Sequence, residues 1–126
     1  MEKHSHHEEL IRGVAEQFSP ILDKSKQAIY IYLDDIHKIC NKKFASLLGY
    51  NSPKEWAHTK EDILETFVDK NSQKSLVTAY GNAMRNLIAS NIEVVWKKRD
   101  GKKVKTNVTL VPILFRGHLF ALHFIS

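Results

Sequence analysis

The sequence predicts an α+β fold built on an antiparallel sheet, with short helices on one face and an amphipathic helix in front. Three observations predict it. Apolar residues alternate with a period of two from Ala28 to Leu33 and again in three runs after Ile92. Between Asn41 and Ser90 the chain breaks into capped helical pieces. The first and last strands are also apolar on both faces, so the sheet needs two covers. The order is strand, strand, four helices and three strands.

Residues 8–18 form the leading helix, with Leu10, Ile11, Val14 and Phe18 recurring at spacings of three and four. Pro20 is expected to interrupt or restart it, and Ile21 and Leu22 carry the stripe into a short turn ending near Ser25. Such a stripe must cover either the outer face of a sheet or a second copy of itself. In the first strand Ile29, Ile31 and Leu33 face one way and Tyr30 and Tyr32 the other. Asp34-Asp35 turns the chain, and Lys38 to Cys40 returns as a tight hairpin.

Asn41 then caps a two-turn helix carrying Phe44, Leu47 and Leu48, which Gly49 stops. Ser52, Pro53 and Glu55 make a serine cap, a proline at the first helical position and an acid at the third. The helix they open carries Trp56 and ends around His58. Thr59 is the expected cap of Lys60 through Phe67. Asp69 or Asn71 opens a longer helix to about Ser90, with Leu76, Tyr80, Met84, Leu87 and Ile88 along one side. Gly81 in its middle costs about 1 kcal/mol against alanine but permits a close approach.

Ile92, Val94 and Trp96 share one strand face, and Val104, Thr106, Val108 and Leu110 share a face of its partner, opposite Lys105, Asn107 and Thr109. Pro112 marks an edge, a bulge or the last stretch of that strand. Arg116-Gly117 turns into the closing strand, His118 to Ile125. Its faces are Phe120, Leu122 and Phe124 against Leu119, Ala121, His123 and Ile125.

At 126 residues the chain has room for one core. No run approaches the roughly 18 apolar residues of a spanning helix, and no apolar export signal follows the polar start, so a cytoplasmic protein without membrane insertion is expected. Cys40 stands alone, which excludes a disulfide framework and a cysteine-based metal site. The formal charge of +5 gathers in Lys97 to Lys105, around Asp100-Gly101. That run reads as a solvated hairpin tip and holds no aromatic residue to stack on bases, so no nucleic-acid partner is expected.

Asn41-Lys42-Lys43-Phe44 followed by Leu47-Leu48-Gly49-Tyr50, in register with three final strands, resembles the PAS domain family. The resemblance covers residues 28–125. It implies a five-stranded antiparallel sheet of order 2-1-5-4-3, its concave face closed by the helices between Asn41 and Ser90. It also implies signal input, ligand sensing or dimerisation rather than catalysis. Residues 1–27 resemble the family's N-terminal dimerisation cap, leaving 28–126 as the domain proper and a homodimer through residues 8–24 and the outer sheet face as the expected assembly. An effector domain or signalling partner is implied as well. The chain departs from the family at Phe124-Ile125-Ser126, where the family commonly has Asp-Ile-Thr, whose aspartate helps couple the domain to a following helix. The chain is then either a fragment of a longer receptor or a stand-alone module.

The candidates for lining a small-ligand cavity are Phe44, Leu48, Trp56, Tyr80, Met84, Trp96, Thr106 and His123, with core packing the competing account of each. Thr106 shares a face with three aliphatic residues, so its hydroxyl needs a partner, either a ligand or a backbone carbonyl. His123 is either a satisfied structural histidine or a ligand-facing or pH-responsive group. The resemblance brings flavin and haem into consideration. Cys40 lies at the end of a strand rather than in the helical segment of the flavin photosensors, and reads as an inert buried thiol. Residues 72–90 hold no histidine for haem, Tyr80 is the only strong ligand there, and His58 reads as a surface or capping residue. No cofactor can be named. His4, His6 and His7 have no carboxylate or cysteine partner at fixed geometry, so no metal site is expected. No nucleophile sits with a plausible base, and an enzyme is not expected. The competing reading is an interaction or structural module with a fully packed core.

Overall fold

A computed structural model describes residues 2–126, with side chains described from His6 onward. The helix α1 (Glu2–Lys24) leads into β1 (Ala28–Asp34) and β2 (His37–Cys40). Four helices follow: α2 (Lys42–Leu48), α3 (Pro53–Ala57), α4 (Ile63–Phe67) and α5 (Lys70–Asn86). The chain closes with β3 (Ser90–Lys97), β4 (Lys103–Phe115) and β5 (His118–Ile125). All neighbouring strands pair antiparallel, in the order β2-β1-β5-β4-β3. This is the architecture that the sequence predicts.

The period-two alternation sorts side chains onto two separate cores. On the inner face Tyr30, Val94, Trp96, Val108, Leu110, Ala121 and Ile125 pack against Phe44, Leu48, Trp56, Phe67, Leu76 and Ala83 from the helices. On the outer face Ile29, Ile31, Phe120 and Leu122 pack against Leu10, Val14 and Leu22 of α1. The leading stripe is therefore satisfied by the chain's own sheet, so this part of the outer face is covered from within and is not open to the dimer contact that the sequence predicts there. The outer face of β3 and early β4 is polar instead. There Lys105 pairs with Glu93 at 3.3 Å and Asn91 donates to Thr109 at 2.9 Å.

Local chemistry explains the elements and four departures from expectation. Asn41 caps α2 as predicted, its Oδ1 accepting from the Phe44 N–H at 3.0 Å. The same oxygen accepts from the Ile29 N–H at 3.0 Å, and its Nδ2 donates to the Gln27 carbonyl at 2.8 Å. Gly49 closes the helix at φ +87°, in the left-handed region that favours glycine. Pro20 does not interrupt α1: it is exposed, and a proline there removes only the bond to the Glu16 carbonyl, also on the exposed side. Thr59 does not cap the next helix, since its hydroxyl donates to the Trp56 carbonyl at 2.7 Å. Asp62 is the cap, accepting from Leu64 and Glu65. The long helix ends at Asn86 rather than near Ser90, because Leu87 turns left-handed at φ 57°. Leu87 and Ile88 are consequently exposed instead of joining the buried side. A Cβ at Gly81 would meet the Arg85 guanidinium of its own helix, so the close approach there is to a movable side chain.

Pro112 lies opposite Ala121 of β5, but β3 reaches only to Leu110, so β4 is an edge where the proline stands. The basic run is a hairpin tip, closed by Lys98 N–H to the Lys102 carbonyl at 2.8 Å. Two of its cations meet acids on the helical side, Arg99 with Glu55 at 2.9 Å and Lys103 with Asp69 at 2.6 Å.

Candidate functional site

The inner face is not packed uniformly. At one end Tyr30, Phe44, Trp56 and Trp96 form a ring cluster, with Phe44 tilted on Tyr30 at 4.7 Å and edge-on to Trp56 at 5.0 Å and Trp96 at 5.4 Å between ring centroids. Both tryptophans are fully buried. At the other end a cavity of about 210 Å³ opens among Tyr30, Tyr32, Ile63, Leu64, Leu76, Val77, Tyr80 and His123. The strand β1 supplies its floor, α4 and α5 its walls, and β5 its one histidine.

His123 lies across β5 from Tyr30 of β1, and the two rings stack at 3.8 Å with planes 9° apart. Its Nδ1 lies 3.1 Å from the Ala121 carbonyl. The Tyr30 backbone is a second hydrogen-bond partner of the ring. Burial pushes the ring's pKa down to about 3, outweighing the backbone carbonyls that favour the charged form. The imidazole is therefore neutral at pH 7. Tyr32 donates to Asp35 at 3.0 Å and meets Tyr80 edge-on at 5.7 Å. Burial, then the carboxylates of Asp34 and Asp35, push the Tyr80 hydroxyl upward, so it too is protonated at neutral pH. The cavity is thus largely apolar, with a neutral imidazole and tyrosine rings on its lining.

Solved structures place this architecture. A PAS domain of an HTR-like protein from Haloarcula marismortui matches with a TM-score of 0.63 at 17% identity, over 97% of this chain and 98% of that one. The PAS domain of nitrogen regulation protein NR(II) from Vibrio parahaemolyticus matches with a TM-score of 0.65 at 18% identity, over 86% and 94%. The PAS domain of the fruit-fly ELK potassium channel matches with a TM-score of 0.66 at 15% identity, over 88% and 94%. The chain has the PAS fold. No family model matches the sequence, and a search of curated proteins finds no match.

Within this PAS fold the predicted site residues separate. Tyr80 and His123 line the cavity. Phe44, Leu48, Trp56 and Trp96 lie in the packed core, and Met84 is half-buried against it. The reason is steric: the four large rings interlock and leave no space between them. Thr106 resolves in favour of a backbone partner, its hydroxyl donating to the Val94 carbonyl and accepting from Trp96 Nε1, each at 2.9 Å. The cavity residues that the sequence reading missed are Tyr30, Tyr32, Ile63, Leu64, Leu76 and Val77. The signal for two of them was present, in tyrosines standing where a solvated strand face should be.

Cys40 ends β2 buried, its thiol pushed up to about 12 by burial. His58 is the exposed C-cap of α3. Lys38 is buried, donating to the Asp35 carbonyl at 2.5 Å and the Thr59 carbonyl at 2.7 Å beneath the Trp56 ring. No helix among the described residues is long and apolar enough to cross a membrane.

One sequence expectation is overturned by proximity. His4 lies outside the described side chains, but His7 has a carboxylate partner. Its Nδ1 lies 2.8 Å from Asp34 Oδ2, and His37 Nδ1 lies 2.7 Å from Asp34 Oδ1. Burial alone would raise the Asp34 carboxyl, but hydrogen bonds from His7 and His37, the charge of His37 and the Ile36 N–H together hold it below the usual carboxylate range.

Proposed function

We propose that this chain is a non-catalytic sensory PAS module that binds a small organic molecule in the Tyr32–Tyr80–His123 cavity. The observation that carries the reading is a cavity of about 210 Å³ lined by Tyr32, Tyr80 and His123 among otherwise apolar residues, beside an aromatic cluster that is closely packed. The volume sets the ligand's size. About 150 Å³ suffices for benzene, and drug-sized ligands take roughly 300 Å³ or more. A cavity of about 210 Å³ suits a one- or two-ring compound or a short branched chain that packs on Leu76 and Ile63 and meets Tyr80 and His123.

Binding would bias α4 and α5, and the sheet would carry that bias to α1 on its far side. A cytoplasmic location, a homodimer and a signalling partner or effector domain belong to the same proposal. With its apolar stripe against the sheet, α1 would meet a second copy through its outward side, where Ile21 is half exposed. Multi-angle light scattering showing a monomer at high concentration would remove the dimer from the reading.

Native mass spectrometry of gently purified protein tests the ligand, together with titration of indole- and phenol-sized compounds followed by nuclear magnetic resonance. Support would be one bound molecule per chain and shifts at His123, Tyr80 and Leu76 that vanish in Leu76→Trp. Absence of any binder among such compounds would favour the packed interaction module, for which the interlocked Trp56–Trp96 cluster speaks.

A further inference from the structure

The first turns of α1 and the β1–β2 hairpin meet in a cluster of imidazoles around one carboxylate, with no thiolate. His7 comes from α1, Asp34 ends β1, and His37 opens β2. Their ligand atoms all lie within 4.8 Å of one another. Beside them His6 Nε2 and His118 Nε2 approach to 2.9 Å, the His118 ring lying 6.5 Å from that of His7. We propose that His7, Asp34 and His37 form a binding site for a divalent first-row transition ion of the zinc class, which fastens α1 to the sensory domain.

The donor set selects the ion. Two imidazole nitrogens and one carboxylate oxygen suit zinc and its neighbours, whereas calcium and magnesium prefer oxygen throughout. The geometry is close to what such an ion needs. Bonds of about 2.0–2.2 Å place tetrahedral ligands roughly 3.3 Å apart. The present contacts of 2.8 Å and 2.7 Å to Asp34 would open by small ring movements. Each ring then offers its Nδ1 lone pair and keeps its single proton on Nε2, and water completes the coordination. The Ile36 N–H, donating to Asp34 Oδ1 at 3.1 Å, orients the carboxylate as supporting groups around metals do.

The position gives the site a consequence. His7 is the only one of the three on α1, so binding couples metal availability to the seating of that helix. The inference is independent of the cavity, which lies among Tyr32, Tyr80 and His123, and failure of either leaves the other standing.

The test uses the full chain, stripped with chelator, and Zn²⁺ alone as titrant in calorimetry, with Co²⁺ absorption as a second readout. Expected are one saturable Zn²⁺ per chain, a melting temperature that rises with Zn²⁺, and visible Co²⁺ bands. His7→Gln and Asp34→Asn should each weaken affinity by more than about tenfold, the least that disturbing a metal's surroundings commonly costs. His7 is half-buried on the helix, so its variant remains informative should a change at buried His37 impair folding. No saturable binding would overturn the site. So would unchanged affinity in either variant, which would place the ion elsewhere, for instance on the His6–His118 pair.

Discussion

The two ends of the inner sheet face use the same kinds of residue to opposite effect. At the Trp56–Trp96 end four rings interlock with centroids 4.7–5.7 Å apart, and both tryptophans are fully buried. At the Tyr32–Tyr80 end the rings stand edge to face at 5.7 Å, but α5 presents Leu76 and Val77 rather than a third aromatic, and about 210 Å³ stays open. Tyr30 belongs to both regions, packing on Phe44 in one direction and stacking on His123 in the other. The contrast teaches that one PAS interior can be closely packed at one end and hollow at the other, with one shared ring between.

The comparison breaks first at the packed end. Trp96→Ala should cost about 3–5 kcal/mol by urea unfolding, since the cluster cannot collapse around so large a loss. Ala83→Leu adds volume beside fully enclosed neighbours and should cost about 1–3 kcal/mol in the same assay. The hollow end carries a pH signature instead. His123 is neutral in the folded state down to about 3, while in the unfolded chain it protonates near 6.5. The unfolded state therefore binds the extra proton as pH falls from about 6.5 to about 3. The contribution is fully present above that window and is lost through it, at a slope approaching about 1.4 kcal/mol per pH unit. His123→Phe should flatten that slope in stability curves measured at successive pH values. The smallest effect sharpens the contrast: Leu76→Phe grows into open space and should change stability by under about 1 kcal/mol while abolishing any ligand-dependent shift.

Most of the fold was legible because it is written locally. Alternation placed Tyr30 and Tyr32 against Ile29 and Ile31. The caps at Asn41, Ser52 and Asp69 are short-range chemistry, and Leu47-Leu48-Gly49-Tyr50 supplied the register. What was misread depends on competition that only the folded chain decides. Thr59 lost its capping role because the Trp56 carbonyl was nearer, and Leu87 left the helix for a left-handed turn. The site was less legible still. Which buried aromatics interlock and which leave space depends on volumes summed across seven elements, and no single spacing encodes it. The meeting of His7 with Asp34 and His37 spans up to thirty residues and was invisible until α1 lay along the sheet.

Asn41 connects three separate parts of the chain. Its one amide holds the backbone of β1 at Ile29, the first turn of α2 at Phe44, and the joint between α1 and β1 at Gln27. It behaves as a rivet through three plates. A rotation of α2 of even a few degrees must either drag the α1–β1 joint with it or strip a buried amide of its partners. The link from the first turn of α2 to the segment joining α1 and β1 is therefore one side chain long.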